Sequence, residues 1–388
     1  MNPTMEPLSP SVLPAGIRAR IAPGINGLDM HFLEAGFETG SGVKDGRPLV
    51  LLLHGFPELA YSWRKVMPAI AAAGYHVVAP DQRGYGRTTG WDASYDGDLA
   101  SYRFLNLVRD AMGLVSALGY REVKAVVGHD FGASVAGYAA LIRPDFFKSL
   151  VLMSAPFTGP PALPFDTLDK PSAAAPNVHD ALAALARPRK HYQWYYSTRE
   201  ANENMWHPPQ GVHDFLRAYY HHKSADWKAN QPAALAGWTA DELAKLPTYY
   251  VMDLGEGMAE TVAEVMPTSV EIAANAWLPD AELTVYGGEY GRNGFQGGLN
   301  WYRVRTSGRQ TGELEVFAGR TIDVPAAFIS GASDWGIHQA PGALEKMQTS
   351  TCTRMNRIHL IPGAGHWVQQ EQPAEVSRLL LQFLATLT

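Results

Sequence analysis

The chain has 388 residues, 46% hydrophobic and 18% charged, which is enough length and apolar content for one large domain or a core carrying an insertion. A net charge of −6 with scattered basic residues argues against nucleic acid or an anionic membrane as the main partner, and a single cysteine, Cys352, leaves no disulfide framework and no cysteine-built metal site. No run reaches the roughly 18 apolar residues of a membrane helix and the Pro- and Ser-rich start does not resemble a signal peptide, so a cytoplasmic setting is expected.

Residues 1–16 read as an irregular arm. From Ile17 to Leu33, alternating stretches broken at Pro23-Gly24 and Asn26-Gly27 predict an antiparallel hairpin at a sheet edge. Pro48 to Leu53 is a continuous apolar run of buried-strand type, ending in the loop His54-Gly55-Phe56-Pro57-Glu58. A helix is expected over 61–73, a strand over 75–80 closed by Asp81-Gln82-Arg83-Gly84-Tyr85-Gly86, and a helix over 100–118. Val123 to Val127 reads as a strand, Ala133 to Ile142 as a helix, and Ser149 to Met153 as another strand. Strand alternating with helix predicts a mostly parallel, doubly wound sheet with its functional loops beyond the carboxyl ends of the strands.

The rhythm breaks after Phe157 and returns at Ala326–Ser330, followed by a helix near 342–349, a strand over 357–361 and a helix over 374–384. A core of residues 17–157 and 321–388, interrupted by a mainly helical cap over 158–320, accounts for this order. No repeat or low-complexity tract occurs.

Between the 123–127 strand and its helix lies Gly128-His129-Asp130-Phe131-Gly132. Small residues flanking one polar side chain in a strand-to-helix turn form a nucleophile elbow, because only small neighbours let the strained turn close. Serine is the usual occupant of the centre; here it is Asp130. A carboxylate attacking an acyl carbonyl would give an anhydride, a poor route to hydrolysis. Attack on a saturated carbon gives an alkyl ester that water can open. Asp334, in Gly331-Ala332-Ser333-Asp334-Trp335, and His366, in Gly363-Ala364-Gly365-His366-Trp367, follow later strands in the chain order nucleophile, acid, histidine. The expected triad is Asp130–His366–Asp334, with His366 as general base. The backbone N–H groups of Phe131 and Phe56 are the expected oxyanion donors. His54 is expected to shape its loop rather than react, and His129 to face away from the pocket.

These motifs, with His54-Gly55-Phe56-Pro57, resemble the α/β-hydrolase superfamily and within it the epoxide hydrolases, over 48–157 and 321–388. Gly297-Gly298-Leu299-Asn300-Trp301-Tyr302-Arg303 is similar to the segment bearing one of that family's ring-opening tyrosines, and His191-Tyr192-Gln193-Trp194-Tyr195-Tyr196 to the segment bearing the other. The resemblance implies Tyr302 and Tyr192 as acids for the epoxide oxygen, and a cis bond before Pro57. Phe131 stands where many relatives carry Trp; without an indole it counts against halide stabilisation, so a haloalkane or haloacid dehalogenase is the weaker alternative, with Trp335 as a substitute donor. A ligand-binding member with residual activity is the third reading.

Pro57, Trp335, Trp194, Tyr195 and Trp367 are the expected pocket residues, and the aromatic cap suggests a small apolar or aromatic epoxide. Histidines 191, 207, 213, 221 and 222 lack metal-ligand spacing with an acidic partner. No metal and no cofactor is expected, and a homodimer is left open.

Overall fold

The computed structural model describes residues 5–37, 46–163 and 177–387. Ten strands occur in it: β1 (Ile17–Ile25), β2 (Leu28–Ala35), β3 (Leu49–Leu53), β4 (His76–Pro80), β5 (Ala125–His129), β6 (Leu150–Met153), β7 (Arg189–His191), β8 (Val251–Asp253), β9 (Ala326–Gly331) and β10 (Met355–Ile361). Eight form one sheet in the order β1-β2-β4-β3-β5-β6-β9-β10. The β1–β2 hairpin and the β2–β4 pairing are antiparallel; every pairing from β4 to β10 is parallel.

The pleat explains the continuous apolar strands. Leu51, Val126 and Leu152 point into one core, shared with helices Phe104–Ala117 and Phe131–Ile142. Their neighbours Val50, Val127 and Val151 point into the other, shared with helices Met67–Ala72 and Pro373–Ala385. A strand covered on both faces has no solvent side and therefore no polar alternation.

Several elements differ from expectation: the helix expected over 100–118 begins as a 3-10 turn, Ala100–Tyr102, before the helix Phe104–Ala117, and the one expected near 342–349 is a short helix, Ala343–Lys346, continued by a π-helical turn, Met347–Thr351. The helix expected over 61–73 is a 3-10 turn, Ala60–Trp63, followed by a separate helix, Met67–Ala72, with Pro68 in its first turn, where a missing N–H costs nothing. The strand expected over 123–127 runs Ala125–His129, because its register with β6 extends to His129 opposite Met153, while Val123 makes only an isolated bridge to Phe147.

Between β6 and β9 the chain leaves the sheet and builds a layer of helices over the carboxyl ends of its strands. Helices Gly211–Lys223 and Asp280–Asn293 pack together there, and β7 and β8 form a short antiparallel pair. Charged groups tie this layer to the core: Lys65 lies 3.0 Å from Glu282, and Arg87 lies 2.8 Å from Glu289. Among the described residues no helix is long and apolar enough to cross a membrane.

Candidate active site

Asp130 ends β5 and opens helix Phe131–Ile142 with φ +54° and ψ −120°, a conformation that an L-residue adopts only under constraint. The glycines around it permit this. A Cβ on Gly128 would sit 2.1 Å from the Gly132 carbonyl oxygen, and one on Gly132 would sit 2.2 Å from that of Leu53. A Cβ on Gly55 would strike the Asp130 side chain itself, at 2.3 Å. The turn thus holds one carboxylate upright at the end of a buried strand. Burial works against its ionised form, but contacts with His366 and the charges of Lys223 and His129 outweigh it and hold Asp130 well below the usual carboxylate range.

His366 and Asp334 reach the same place from the ends of β10 and β9. His366 Nδ1 lies 3.1 and 3.2 Å from the two Asp334 oxygens. A carboxylate only accepts, so Nδ1 carries a proton, and in the neutral imidazole the lone pair is then on Nε2. That Nε2 lies 3.5 Å from Asp130 Oδ2 and makes no hydrogen bond among the described residues. Asp334 is fixed in turn by the Gly336 N–H at 2.7 Å and the Ser330 hydroxyl at 3.2 Å.

Of the two expected oxyanion donors, the Phe56 N–H donates to Asp130 Oδ1 at 3.0 Å, from a loop whose Phe56–Pro57 bond is cis. The Phe131 N–H is the first of its helix and has no partner within it.

Tyr302 and Tyr192 both line a cavity of about 300 Å³ together with Asp130. The Tyr302 ring stands edge-on to Phe131 at 4.7 Å and to Phe56 at 5.4 Å, and lies 5.8 Å from Tyr192. Tyr192 donates to Gln339 Oε1 and accepts from Gln193 Nε2, each at 3.1 Å. Burial raises both phenol pKa values, and the negative charge of Asp130 raises them further, so each keeps its proton at neutral pH.

The glycines of the Tyr302 segment gain a physical reason. Gly297 meets Gly84 backbone to backbone: a Cβ on Gly297 would lie 2.0 Å from the Gly84 carbonyl oxygen. One on Gly298 would press into Phe56 at 2.7 Å. The Trp301 indole donates to the Arg83 carbonyl at 2.9 Å. Helix Gln296–Ser307 therefore docks directly on the loop after β4, with Tyr302 over the elbow.

The expected pocket residues need correction: none of the five lines the cavity. Its floor is Phe104, Phe131, Tyr138 and Phe157, and its rim includes Trp238 and Arg305. Trp194 and Tyr195 follow Tyr192 on one short helical turn, so they project to other sides, Trp194 toward His179 and Tyr195 toward the Lys190 ammonium. Trp367 packs beneath His366 and donates to the Tyr220 carbonyl at 2.8 Å. Trp335 is buried and its indole N–H has no partner among the described residues, and Pro57 gives its carbonyl to the Tyr220 hydroxyl at 2.8 Å.

His54 accepts the Gln82 N–H at 3.1 Å on Nε2 and so donates from Nδ1 to the Gly55 carbonyl at 2.9 Å, a loop-shaping role as expected. His129 does more than face away. Its Nε2 donates to the His366 carbonyl at 2.7 Å and its Nδ1 meets Glu58 Oε2 at 2.7 Å, an arrangement that requires protons on both nitrogens or on Glu58. Burial opposes both charges, yet the mutual attraction raises His129 and lowers Glu58, making a buried ion pair. Gln369 and Gln370 satisfy the remaining Glu58 lone pairs, each from Nε2 at 2.9 Å. The sequence reading assigned no role to Glu58, although it closes the loop that begins at His54.

Comparison with known proteins agrees with this geometry. A family model described as alpha/beta hydrolase fold matches residues 48–373. The chain is 34% identical over 350 residues to epoxide hydrolase B of Mycobacterium tuberculosis, covering 88% of this chain and 92% of that one. To epoxide hydrolase A of the same organism it is 32% identical, covering 93% and 96%. Among solved structures, an epoxide hydrolase from an endophytic Streptomyces superposes with a TM-score of 0.73 at 32% identity, covering 96% of each chain. Epoxide hydrolase I of potato, Solanum tuberosum, gives 0.69 at 29% identity, covering 95% of this chain and 99% of that one. This chain, with an aspartate on its elbow and two phenols lining the same cavity, belongs to the epoxide hydrolase family of the α/β-hydrolase fold.

Proposed function

We propose that this epoxide hydrolase turns its substrate into a vicinal diol in two steps, through an ester on Asp130. In the first, an Asp130 oxygen attacks an epoxide carbon. The carbon–oxygen bond breaks, its electron pair goes to the ring oxygen, and a proton from Tyr302 or Tyr192 neutralises that oxygen. In the second, His366 Nε2 removes a proton from water, the resulting hydroxide attacks the ester carbonyl, and the Phe56 and Phe131 N–H groups hold the oxyanion. Collapse releases the diol and returns Asp130, while the His366 proton goes back by way of solvent to the tyrosinate. Asp334 keeps the imidazole in the tautomer this requires.

The observation that carries the reading is the pairing of opposite faces: two protonated phenols line the cavity with Asp130, and an imidazole with a free Nε2 stands 3.5 Å from the carboxylate. The ring floor of Phe104, Phe131, Tyr138 and Phe157 supports a small apolar or aromatic substituent on the epoxide. A single turnover in heavy-oxygen water, with enzyme in excess, tests the route. The ester path delivers unlabelled diol and leaves the label in the Asp130 carboxylate. Label appearing at once in the diol would mean direct attack by water and would overturn it.

A further inference from the structure

Helix Gly211–Lys223 ends against the loop that carries His366, and its last side chain is unusual. Lys223 is buried, and no ion pair joins it to a carboxylate among the described residues. Its ammonium instead stands 4.8 Å from the ring centre of Tyr250, 5.4 Å from Trp367 and 5.6 Å from each of Tyr219 and Tyr249. An unpaired buried charge is costly, and four aromatic faces within cation–π range are what offsets that cost. The cage is also the back wall of the reaction centre. The Trp367 ring lies 4.8 Å from that of His366, and the Tyr250 ring lies 5.1 Å from that of Tyr192. The Lys223 carbonyl accepts the His366 N–H at 2.9 Å.

His366 has a carboxylate on each side, Asp334 at 3.1 Å and Asp130 at 3.5 Å. Esterification neutralises Asp130, so when water is activated the Asp334 carboxylate is the negative charge in contact with the ring. Glu58 and His129 offset each other nearby, and His221 and His222, the neighbours of Lys223 on its helix, are pushed down by burial and carry no charge at neutral pH. Glu371 is engaged with the N–H groups of Ala225, Gly365 and Trp367 at 2.8 to 3.0 Å. Tyr219, Tyr249 and Tyr250, which face Lys223, stay protonated because burial raises them. Burial also lowers the Lys223 ammonium, opposed by the charges of Asp130, Asp334 and Glu58. The positive charge available to balance Asp334 in the ester, and both carboxylates in the free enzyme, is therefore that of Lys223.

We propose that Lys223 is a positioning residue for ester hydrolysis: its caged charge offsets Asp334, the carboxylate that stays charged beside His366 once Asp130 is esterified, so that Nε2 can take a proton from water. This rests on the two-step reading above. The test is the pH dependence of kcat in Lys223→Met and Lys223→Gln, with Lys223→Arg as the charge-keeping control. Removing the charge is expected to move the acid limb of the profile up by about one pH unit, a loss of about tenfold at pH 6 that fades by pH 9. Lys223→Arg is expected to keep the wild-type limb. A loss that is uniform across pH, or a limb that does not move, would make Lys223 a packing residue and overturn the proposal. If neither uncharged variant folds, the lysine 13Cε resonance in the wild-type protein decides: a charged Lys223 at pH 7 is expected, and a neutral amine there overturns it. Trapping the ester in wild-type enzyme keeps the two readings apart. Its absence would sink the two-step reading, whereas an ester together with an unmoved limb sinks only the role of Lys223.

Discussion

At the scale of single residues, the proposed reaction divides between groups that would touch the epoxide and groups that hold those in place. Tyr302→Phe removes a proton donor while keeping the ring against Phe131 and Phe56, so ring opening is expected to slow by about 10²–10⁴-fold with melting temperature unchanged. Rapid-quench measurement of ester formation checks this, and an unaltered rate would assign the proton to Tyr192 alone. Asp334→Asn leaves His366 free to take the other tautomer, and ester hydrolysis is expected to fall by about 10³–10⁴-fold while ester formation persists. Glu58→Gln breaks a buried ion pair from one side. Leaving the His129 imidazolium unpaired is expected to cost about 3–5 kcal/mol, read from denaturant unfolding. A cost below about 1 kcal/mol would mean that the pair is neutral in the folded protein.

At the scale of elements, the contact between Gly84 and Gly297 sets how low the cap helix Gln296–Ser307 rides over the elbow. Gly297→Ala puts a methyl 2.0 Å from the Gly84 carbonyl oxygen and must lift the helix that carries Tyr302. The expected result is a stability loss of about 1–3 kcal/mol with a larger proportional loss in ring opening than in ester hydrolysis. Equal losses in both steps would place the strain elsewhere.

The sheet and its helices were readable because buried parallel strands leave apolar runs such as Pro48–Leu53, and the elbow because only small residues fit around Asp130. The triad followed from chain order. The pocket wall did not, since which face of a four-residue turn such as Tyr192–Tyr195 points inward depends on β7 and β8, a pairing of residues 60 positions apart that no local pattern announces. Lys223 was hidden for the same reason: its cage draws on Tyr219, Tyr249, Tyr250 and Trp367, which meet only in the fold.

At the scale of the molecule, several buried carboxylates are satisfied by histidines that join distant segments: Asp81 with His31 at 2.7 Å, Glu34 with His76 at 3.0 Å, and Glu58 with His129 at 2.7 Å. Burial raises each acid, but its partners outweigh this and hold all three below their ordinary values. A carboxyl with a lowered folded pKa contributes stability that is present above its unfolded value and is lost as pH falls through the folded one. Acidification below about pH 4 is therefore expected to destabilise the protein steeply. His129, raised in the folded state, works from the other side: its contribution is full below its unfolded value and is lost as pH rises through the folded one. Thermal melting of wild type and Glu58→Gln across pH checks both limbs. The gap between the two proteins is expected to close as Glu58 becomes protonated at low pH, and a gap independent of pH would show that the pair carries no linked proton.

The fold sets Asp130 and two phenols around one cavity and His366 3.5 Å from Asp130, and in the proposed route the ester on Asp130 is the species that joins their roles. His366→Gln retains ring opening and loses water activation, so incubation with an epoxide such as styrene oxide should add the mass of one substrate to the intact protein. Peptide mapping should locate that mass on Asp130. No adduct with any epoxide that the wild-type protein hydrolyses, or an adduct on a residue other than Asp130, would contradict the account.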